Sequence, residues 1–486
     1  MLLQKQYGLF PKILGKGDNA KRLADLLQHM RAEEDVDASA DANNAYLTSF
    51  GLTPSSLVEN LVIVDREVDF LTPLSTQLTY EGLLDENFGI ANNQMEVDSS
   101  IFGGAPAQNQ QQQSDATPTS TGVTKRKIQV DSSDKLYPTL RNANFATIGP
   151  TLNNTARRLQ SDQQDIHKHD QSITDLKSFV QKLPSYQAEQ ASLKIHTSLA
   201  EEVLKFTRSE AFGLMLEVQQ NLLLGSDPSS IHENIEEMIM RDTPIETVLR
   251  LVCLESVLSN GIRSRELEAF KRHILHAYGF QHLLTLSNLE KMGLLTQRES
   301  HRGYLNPIAG AAGQTSTDWN AVRKGLKLWV EEVQETDPND IAYVFSGYAP
   351  LSVRLVQAVL QKSHLLSLTA ASGKAAPNAS ASGGGFKGFE DTLSRIRGAT
   401  VDVTQKGHDA DVSGARKTLR NSKEGPKTTI VFFLGGVTYA EIAALRFMSG
   451  HLEETSGRQI VVATTGMIKG DRVVGAALEK GSFGEG

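Results

Sequence analysis

The sequence predicts an α/β fold combined with an α fold, in which a parallel-sheet domain is discontinuous in the chain and interrupted by a large helical domain. Three observations lead there. Short runs of branched and aromatic apolar residues, LVIVD from Leu61 to Asp65 and TTIVFFLGG from Thr428 to Gly436, lie near opposite ends of the chain. Between them, apolar residues recur at helical spacing and turn residues punctuate each stretch. Two stretches of small and polar residues, Gly103 to Gly122 and Ala370 to Gly388, break the composition.

Taken in order, Asp18 is placed to cap a helix whose Leu23, Leu27 and Met30 share a face. LVIVD follows, and its unbroken hydrophobicity suits a strand covered on both faces, as in a parallel sheet. At the other end, TTIVFFLGG, a helix over Tyr439 to Met448 and RQIVVATT from Arg458 give strand, helix and strand again. Neither block alone can form a stable sheet, so the two are expected to join.

In the middle, Thr243-Pro244-Ile245-Glu246 reads as a cap, a first-turn proline and a third-position glutamate. Val248, Leu251, Val252, Leu254 and Leu258 give that helix a broad apolar face, and Asn260-Gly261 stops it. Leu267, Phe270, Ile274 and Tyr278 form a second stripe ending at Gly279, and Val322, Leu326, Trp329 and Val333 a third. Residues 103–122 read as a disordered insertion and 369–426 as a flexible linker, because neither can bury enough apolar surface to offset its ordering entropy. No period of about 20 to 50 residues repeats, which argues against a solenoid or propeller.

Composition excludes several function classes. The 486 residues carry 49 Lys+Arg against 57 Asp+Glu, a net charge of -8, so no chain-wide basic field gathers nucleic acid or anionic lipid. The single cysteine, Cys253, forbids an internal disulfide and a multi-thiolate zinc site and fits a reducing compartment. No secretory leader is legible, and no apolar run approaches the ~20 residues of a membrane span. A cytoplasmic protein brought to membranes by partners is expected.

The candidate chemistry is sparse. Gly15-Lys16-Gly17 resembles the end of a phosphate loop, but Gly8 stands seven residues before Gly15 where the motif needs five, and Gly17 replaces the magnesium-holding Ser or Thr. A turn before a helix accounts for it. Asp65, Glu67 and Asp69 sit where α/β sheets place metal-binding carboxylates; the favoured reading is a strand-end cluster of hydrogen bonds and ion pairs, with Arg66, that fixes the crossing into the helical block. His273 and His276 lie one helical turn apart, with His282 beyond Gly279, and read as solvated or hydrogen-bonded histidines. Cys253 reads as core, and Gly435-Gly436 before Thr438 as tight strand-to-helix packing. No cofactor or metal is expected.

LVIVDREVDFLTPLSTQLTYEGLLDENFGI, Leu61 to Ile90, resembles the hallmark of the SM family, the cytosolic chaperones and clamps of SNARE assembly in membrane fusion. RLVCLESVLSNGI from Arg250, DIAYVFSGYAPLSVRLVQ from Asp340 and VFFLGGVTYAEIAALRFMSG from Val431 resemble its vacuolar branch. The resemblance runs from about Tyr7 to the last strand. It implies an arch whose middle α/β domain is split by a helical domain. Residues 1–70 and 427–486 would form the α/β part, 71–204 the first helical half and 205–368 the second. Family members open with a further α/β domain, so the chain reads as an arch lacking its first domain.

The resemblance also implies a functional helical hairpin in the first helical half. In this sequence Leu152, Ala156, Leu159 and Ile166 give one stripe; Ile173, Leu176, Phe179 and Leu183 give a second, capped by Ser172 and ended by Pro184. The solvent side would carry Arg157, Arg158, Gln163, Lys168, Lys177 and Gln181, either as a merely solvated face or as a platform for SNARE helices. The function implied is that of a non-enzymatic SNARE-binding subunit of the HOPS and CORVET tethering complexes. It would dock on their propeller-solenoid subunit numbered sixteen and act at late endosomes and the vacuole or lysosome. The alternative is a nucleotide-dependent α/β enzyme using Gly15-Lys16-Gly17 or the Asp65 cluster.

Overall fold

The computed structural model describes residues 2–40, 55–102, 125–168, 173–226, 228–298, 316–370, 385–405 and 428–479. The insertion at 103–122 and most of the stretch 369–426 lie outside them.

The strands are β1 (Lys12–Lys16), β2 (Val58–Asp65), β3 (Gln94–Asp98), β4 (Lys125–Gln129), β5 (Thr400–Thr404), β6 (Thr428–Leu434) and β7 (Gln459–Thr464). Five of them form one sheet in the order β5-β1-β2-β6-β7. The two ends of the chain meet at its centre, where β2 pairs in parallel with β6, Leu61 opposite Ile430 and Val64 opposite Phe433. Both faces of β2 are covered, since Val62 and Val64 enter the large core while Leu61 and Ile63 enter a smaller one. That is why LVIVD shows no alternation. Helix α1 (Asp18–Ala40) covers one face, placing Ala20 and Ala24 over Ile13 and Ile63.

β1 was not expected as a strand, because KILGK is short and holds two lysines and a glycine. It forms because its partners supply a complete ladder: Gly15 lies opposite Ile63 on one side and Val401 on the other. The hairpin of β3 and β4, also unforeseen, pairs Glu96 with Lys127 and buries Met95 and Val97.

Part of the expected linker is folded. Phe386, Phe389, Leu393 and Ile396 are buried, and β5 closes the sheet edge antiparallel to β1. Four apolar residues at spacings of three and four are enough to dock this polar-looking stretch.

The first helical half contains α2 (Tyr80–Phe88), α3 (Ile148–Lys168) and α4 (Ile173–Thr207). After it come α5 (Glu210–Leu224), α6 (Pro228–Met240), α7 (Ile245–Leu258), α8 (Ser264–Tyr278) and α9 (His282–Lys291). Helix α7 is nearly encased, as its apolar face demands, and Asn260 and Gly261 end it with positive φ. The expected Thr243 cap is not made: the helix starts at Ile245 behind Pro244, with no side-chain capping bond. Asp242 takes a left-handed turn, and Thr243 instead bonds Met238 and Tyr278 through its backbone. The stripe from Val322 to Val333 is not one helix either. A short helix stops at Gly325, Lys327 has positive φ, and Trp329 forms an antiparallel bridge with Tyr348.

Helices α10 (Leu351–Leu360), α11 (Tyr439–Ser456) and α12 (Gly470–Gly475) complete the seam with the sheet. Thr438 and Glu441 form a capping box at the start of α11, and Gly436, at φ 108°, leaves no room for a Cβ beside Ile468. Arg66 pairs with Glu441 at 3.0 Å and donates to the Asp69 carbonyl at 2.5 Å. Asp69 accepts from Thr72 N and Ser352 N, both at 3.0 Å. Arg250 of α7 donates to Leu74 O at 2.6 Å and pairs with Glu86 at 3.2 Å. These buried charges bind sheet to helices at several points.

Candidate functional site

Helices α3 and α4 lie against each other as a hairpin. Leu152 and Leu159 are buried along the α3 stripe, but Ala156 is exposed, so the packed face runs through Ile148, Leu152, Thr155 and Leu159. On α4, the helix continues through Pro184, which stands exposed within it, to Thr207. Proline was expected to end the helix; here the helix continues on both sides of it. Leu183 is half-buried. Tyr186 donates its hydroxyl to Leu159 O at 2.9 Å, which fastens α4 to α3.

Of the expected solvent face, Arg157 and Gln163 are exposed and make no hydrogen bond or ion pair among the described residues. Arg158 is exposed too, but it pairs with Glu189 across the hairpin and approaches Asp162 at 4.0 Å. Its charge is therefore partly spent within the hairpin. The side chains of Lys168, Lys177 and Gln181, and those of Ile166, Ile173, Leu176 and Phe179, lie outside the described residues, as does Ser172.

A buried polar network that sequence reading missed fixes the hairpin's base. His196 of α4 is 2% exposed; its Nε2 lies 3.2 Å from Asp134 Oδ1 and its Nδ1 3.0 Å from the Tyr80 hydroxyl. Ser192, one turn earlier, donates to the same carboxylate oxygen at 2.6 Å. Burial pushes the Asp134 carboxyl up, but hydrogen bonds from His196, Ser192 and Tyr137 N outweigh it and hold it well below the usual range. Tyr137 stacks on His196 and donates to Glu81 at 2.8 Å, and Glu81 pairs with Arg446 of α11 at 2.8 Å. Ser192 and His196 lie four residues apart on one face of α4, but in a stretch as polar as QAEQASLKIHTSLAEE nothing set them apart. Ser192 donates to Asp134 rather than to a base, so this is a structural lock and not a nucleophile relay.

The other candidates resolve as scaffold. Lys16 is enclosed in β1, donating to Gly398 O at 2.5 Å and Thr400 Oγ1 at 3.1 Å, and burial lowers its pKa to about 8. Gly17, at φ 111°, sits against Asp65, whose carboxylate accepts from Asn19 N at 2.8 Å and Glu67 N at 3.2 Å. Glu67 turns away to Arg397 at 2.9 Å. Asp65, Glu67 and Asp69 thus serve three different partners instead of one metal; among the described residues no group of three or more His, Cys, Asp or Glu could hold an ion. His273 faces Glu236 at 3.5 Å, His276 packs on Phe280, and His282 lies 3.3 Å from Thr285. Burial pushes the Cys253 thiol up to about 12. A cleft of about 1030 Å³ between the β2 end and the helices holds Arg298, Arg323 and Arg397, but all three already bond carbonyls or Glu67.

One exposed apolar patch stands out. Gly279 ends α8 with positive φ, and the turn into α9 leaves Phe280 73%, Leu283 59% and Leu284 44% exposed. Helix α9 is docked on the chain after α12, through Asn288 to Ala477 O at 3.2 Å and Glu479 N to Thr285 at 3.0 Å.

The profile of the Sec1 family matches residues 1–476. The chain belongs to the Sec1 family. It is 36% identical to vacuolar protein sorting-associated protein 33A of Rattus norvegicus, over 99% of this chain and 70% of that protein. To the vacuolar protein-sorting-associated protein 33 homolog of Arabidopsis thaliana it is 32% identical, covering 98% and 69%. The Sec1-family chain therefore falls in the vacuolar branch. Its fold is that of the Unc18-syntaxin 1 complex from Monosiga brevicollis, with TM-score 0.57, 15% identity and coverage of 98% and 69%. It is also that of Sly1p in complex with an N-terminal peptide of Sed5p, with TM-score 0.55, 14% identity and coverage of 96% and 64%. Among the described residues of this family member, no helix is long and apolar enough to cross a membrane.

Proposed function

We propose that this chain is a non-enzymatic SNARE-binding chaperone that promotes membrane fusion in vesicle transport to the vacuole or lysosome. The observation that carries it is the hairpin: two long antiparallel helices, locked at the base by Asp134 and His196, with exposed long donors at Arg157 and Gln163 along the outside. The SM protein Vps45, of the same fold, has been solved in complex with the Qa SNARE Tlg2. A rigid helical surface of this kind suits templating, because holding two SNARE segments in register offsets part of the nucleation cost of a coiled coil. Exposed basic donors on Arg157 and Arg158 complement acidic faces of such helices.

The domain division follows: 1–70 and 427–486 as the α/β part, 71–204 and 205–368 as the two helical halves. The chain acts within the HOPS and CORVET tethers, recruited to late-endosomal and vacuolar membranes by its partners. Phe280, Leu283 and Leu284 supply the anchor for the propeller-solenoid subunit numbered sixteen, since aromatic and aliphatic side chains presented together on a polar surface are the usual centre of an interface. Titrating cytosolic SNARE segments onto the purified chain tests the main reading: saturable binding is expected, and none at micromolar protein overturns it. Phe280→Asp is expected to abolish co-purification of the tether subunit while leaving SNARE binding unchanged.

A further inference from the structure

Helices α6, α7 and α8 meet around one imidazole. His232 of α6 is 14% exposed, and its Nε2 lies 2.6 Å from Oε1 of Glu255 on α7, a carboxylate that is 6% exposed. The other oxygen of Glu255 is buried with no hydrogen-bond partner. Phe270 of α8 closes the third side, its ring edge-on to the imidazole at 5.0 Å. Among the described residues, the buried carboxylate is therefore held by His232 alone.

The other buried histidines are placed differently. His196 also meets a carboxylate, but Asp134 has further donors in Ser192 and Tyr137 N, so it does not depend on the imidazole's charge. His282 faces the Thr285 hydroxyl and no carboxylate. Around His232 the surrounding charge is acidic. Glu236, one turn along α6, and Glu266 of α8 add to Glu255 in favouring the imidazolium. The nearby cations are engaged with the same carboxylates: Arg263 pairs with Glu266 at 3.3 Å, and His273 of α8 faces Glu236 at 3.5 Å. Helix α5 also packs on α6, but its Glu210 pairs with Arg241 and its Glu217 is exposed. The hydrogen bond to Glu255 outweighs the cost of burial and holds the His232 imidazole above its ordinary pKa of 6.5.

We propose that His232 is a pH-sensitive clasp, which as imidazolium closes α6 onto α7 and as neutral imidazole lets α6 loosen. Loss of the proton leaves Glu255 buried beside Glu236 and Glu266 with no positive partner of its own. A group raised in the folded state stabilises it fully below 6.5 and ceases to do so as pH rises through the higher folded value. The exposed edge of the ring gives the proton its route to solvent. Helix α6 leads into Thr243, whose carbonyl accepts from the Tyr278 hydroxyl at 2.5 Å, so loosening it also frees the end of α8. The clasp is independent of the SNARE reading, because α6, α7 and α8 lie outside the hairpin.

The test is amide hydrogen exchange of the purified full chain, read by mass spectrometry on peptides from α6 and corrected for the intrinsic rate, from about pH 5 to about 8, the range in which histidine titrates. Protection of α6 should fall as pH rises, by about tenfold for each unit by which the imidazole is raised. Peptides from α4, which carries the histidine that its carboxylate does not depend on, should show a smaller change. His232→Gln keeps a donor without the charge and should leave α6 protection independent of pH, whereas His273→Gln should retain the parent's dependence. If His232→Gln fails to fold, Glu255→Gln removes the carboxylate instead and should also abolish the pH dependence. A parent whose α6 protection does not change with pH overturns the proposal. So does a His232→Gln or Glu255→Gln variant that follows the parent's profile, or that loses protection equally at every pH while keeping that profile, as a purely structural contact would.

Discussion

At the seam between sheet and helices, Arg66 and Arg250 are almost wholly enclosed and each holds a carboxylate from a distant part of the chain. On the hairpin, Arg157 and Arg158 stand in solvent, one unpaired among the described residues and the other matched only to neighbours within the hairpin. The same side chain does different work in the two regions. Where it is desolvated, removing it strands Glu441 and Asp69, so it specifies how the two parts of the chain meet. Where it is solvated, it contributes little to folding and stays available to a partner.

The sharpest way to break this comparison is to remove one arginine from each region. Arg66→Ala should cost about 3–5 kcal/mol, the scale of leaving a buried charge uncompensated, and much of the chain should lose cooperative unfolding. Arg157→Ala should stay within about 0.5 kcal/mol. Denaturant midpoints of the two variants check both, and a mild Arg66 effect would show that the seam is held by apolar packing alone.

A smaller effect concerns Lys16, which belongs to the seam side of the comparison but has no carboxylate in hydrogen-bond contact. Its folded pKa, about 8, lies below the 10.5 of the free side chain, so above about 8 the unfolded state binds more protons than the folded one. Its penalty is fully present below about 8 and is relieved as pH rises towards 10.5. The parent should therefore gain stability relative to Lys16→Met across that window, measured by urea midpoints of both proteins. A difference independent of pH would mean that the ammonium is not held in a desolvated site.

What the sequence revealed follows the same division. The central strands were legible because burial on both faces leaves an unbroken apolar run, as at Leu61 to Val64. β1 was not, because KILGK derives its strand character from the β2 and β5 ladders rather than from its own residues. Residues 385–405 were hidden for a related reason: their five buried apolar side chains are diluted by polar neighbours. On the hairpin, the positions of Arg157, Arg158 and Gln163 were readable from helical spacing. The lock at Asp134 was not, since residues 58 and 62 apart in sequence meet there only through tertiary packing. Nor was Phe280, whose exposure depends on the turn at Gly279.

The central claim is that the outer face of the hairpin binds SNARE helices, and the double reversal Arg157→Glu with Arg158→Glu tests it most directly. Equilibrium binding of a cytosolic SNARE segment to parent and variant should show several-fold weakening, because exposed contacts contribute about 0.2–1 kcal/mol each. Binding by the parent should also fall more steeply with salt. The helical circular dichroism signal and binding of the tether subunit should be unchanged. Unaltered SNARE affinity in a variant with an intact fold would contradict the account and leave this face merely solvated.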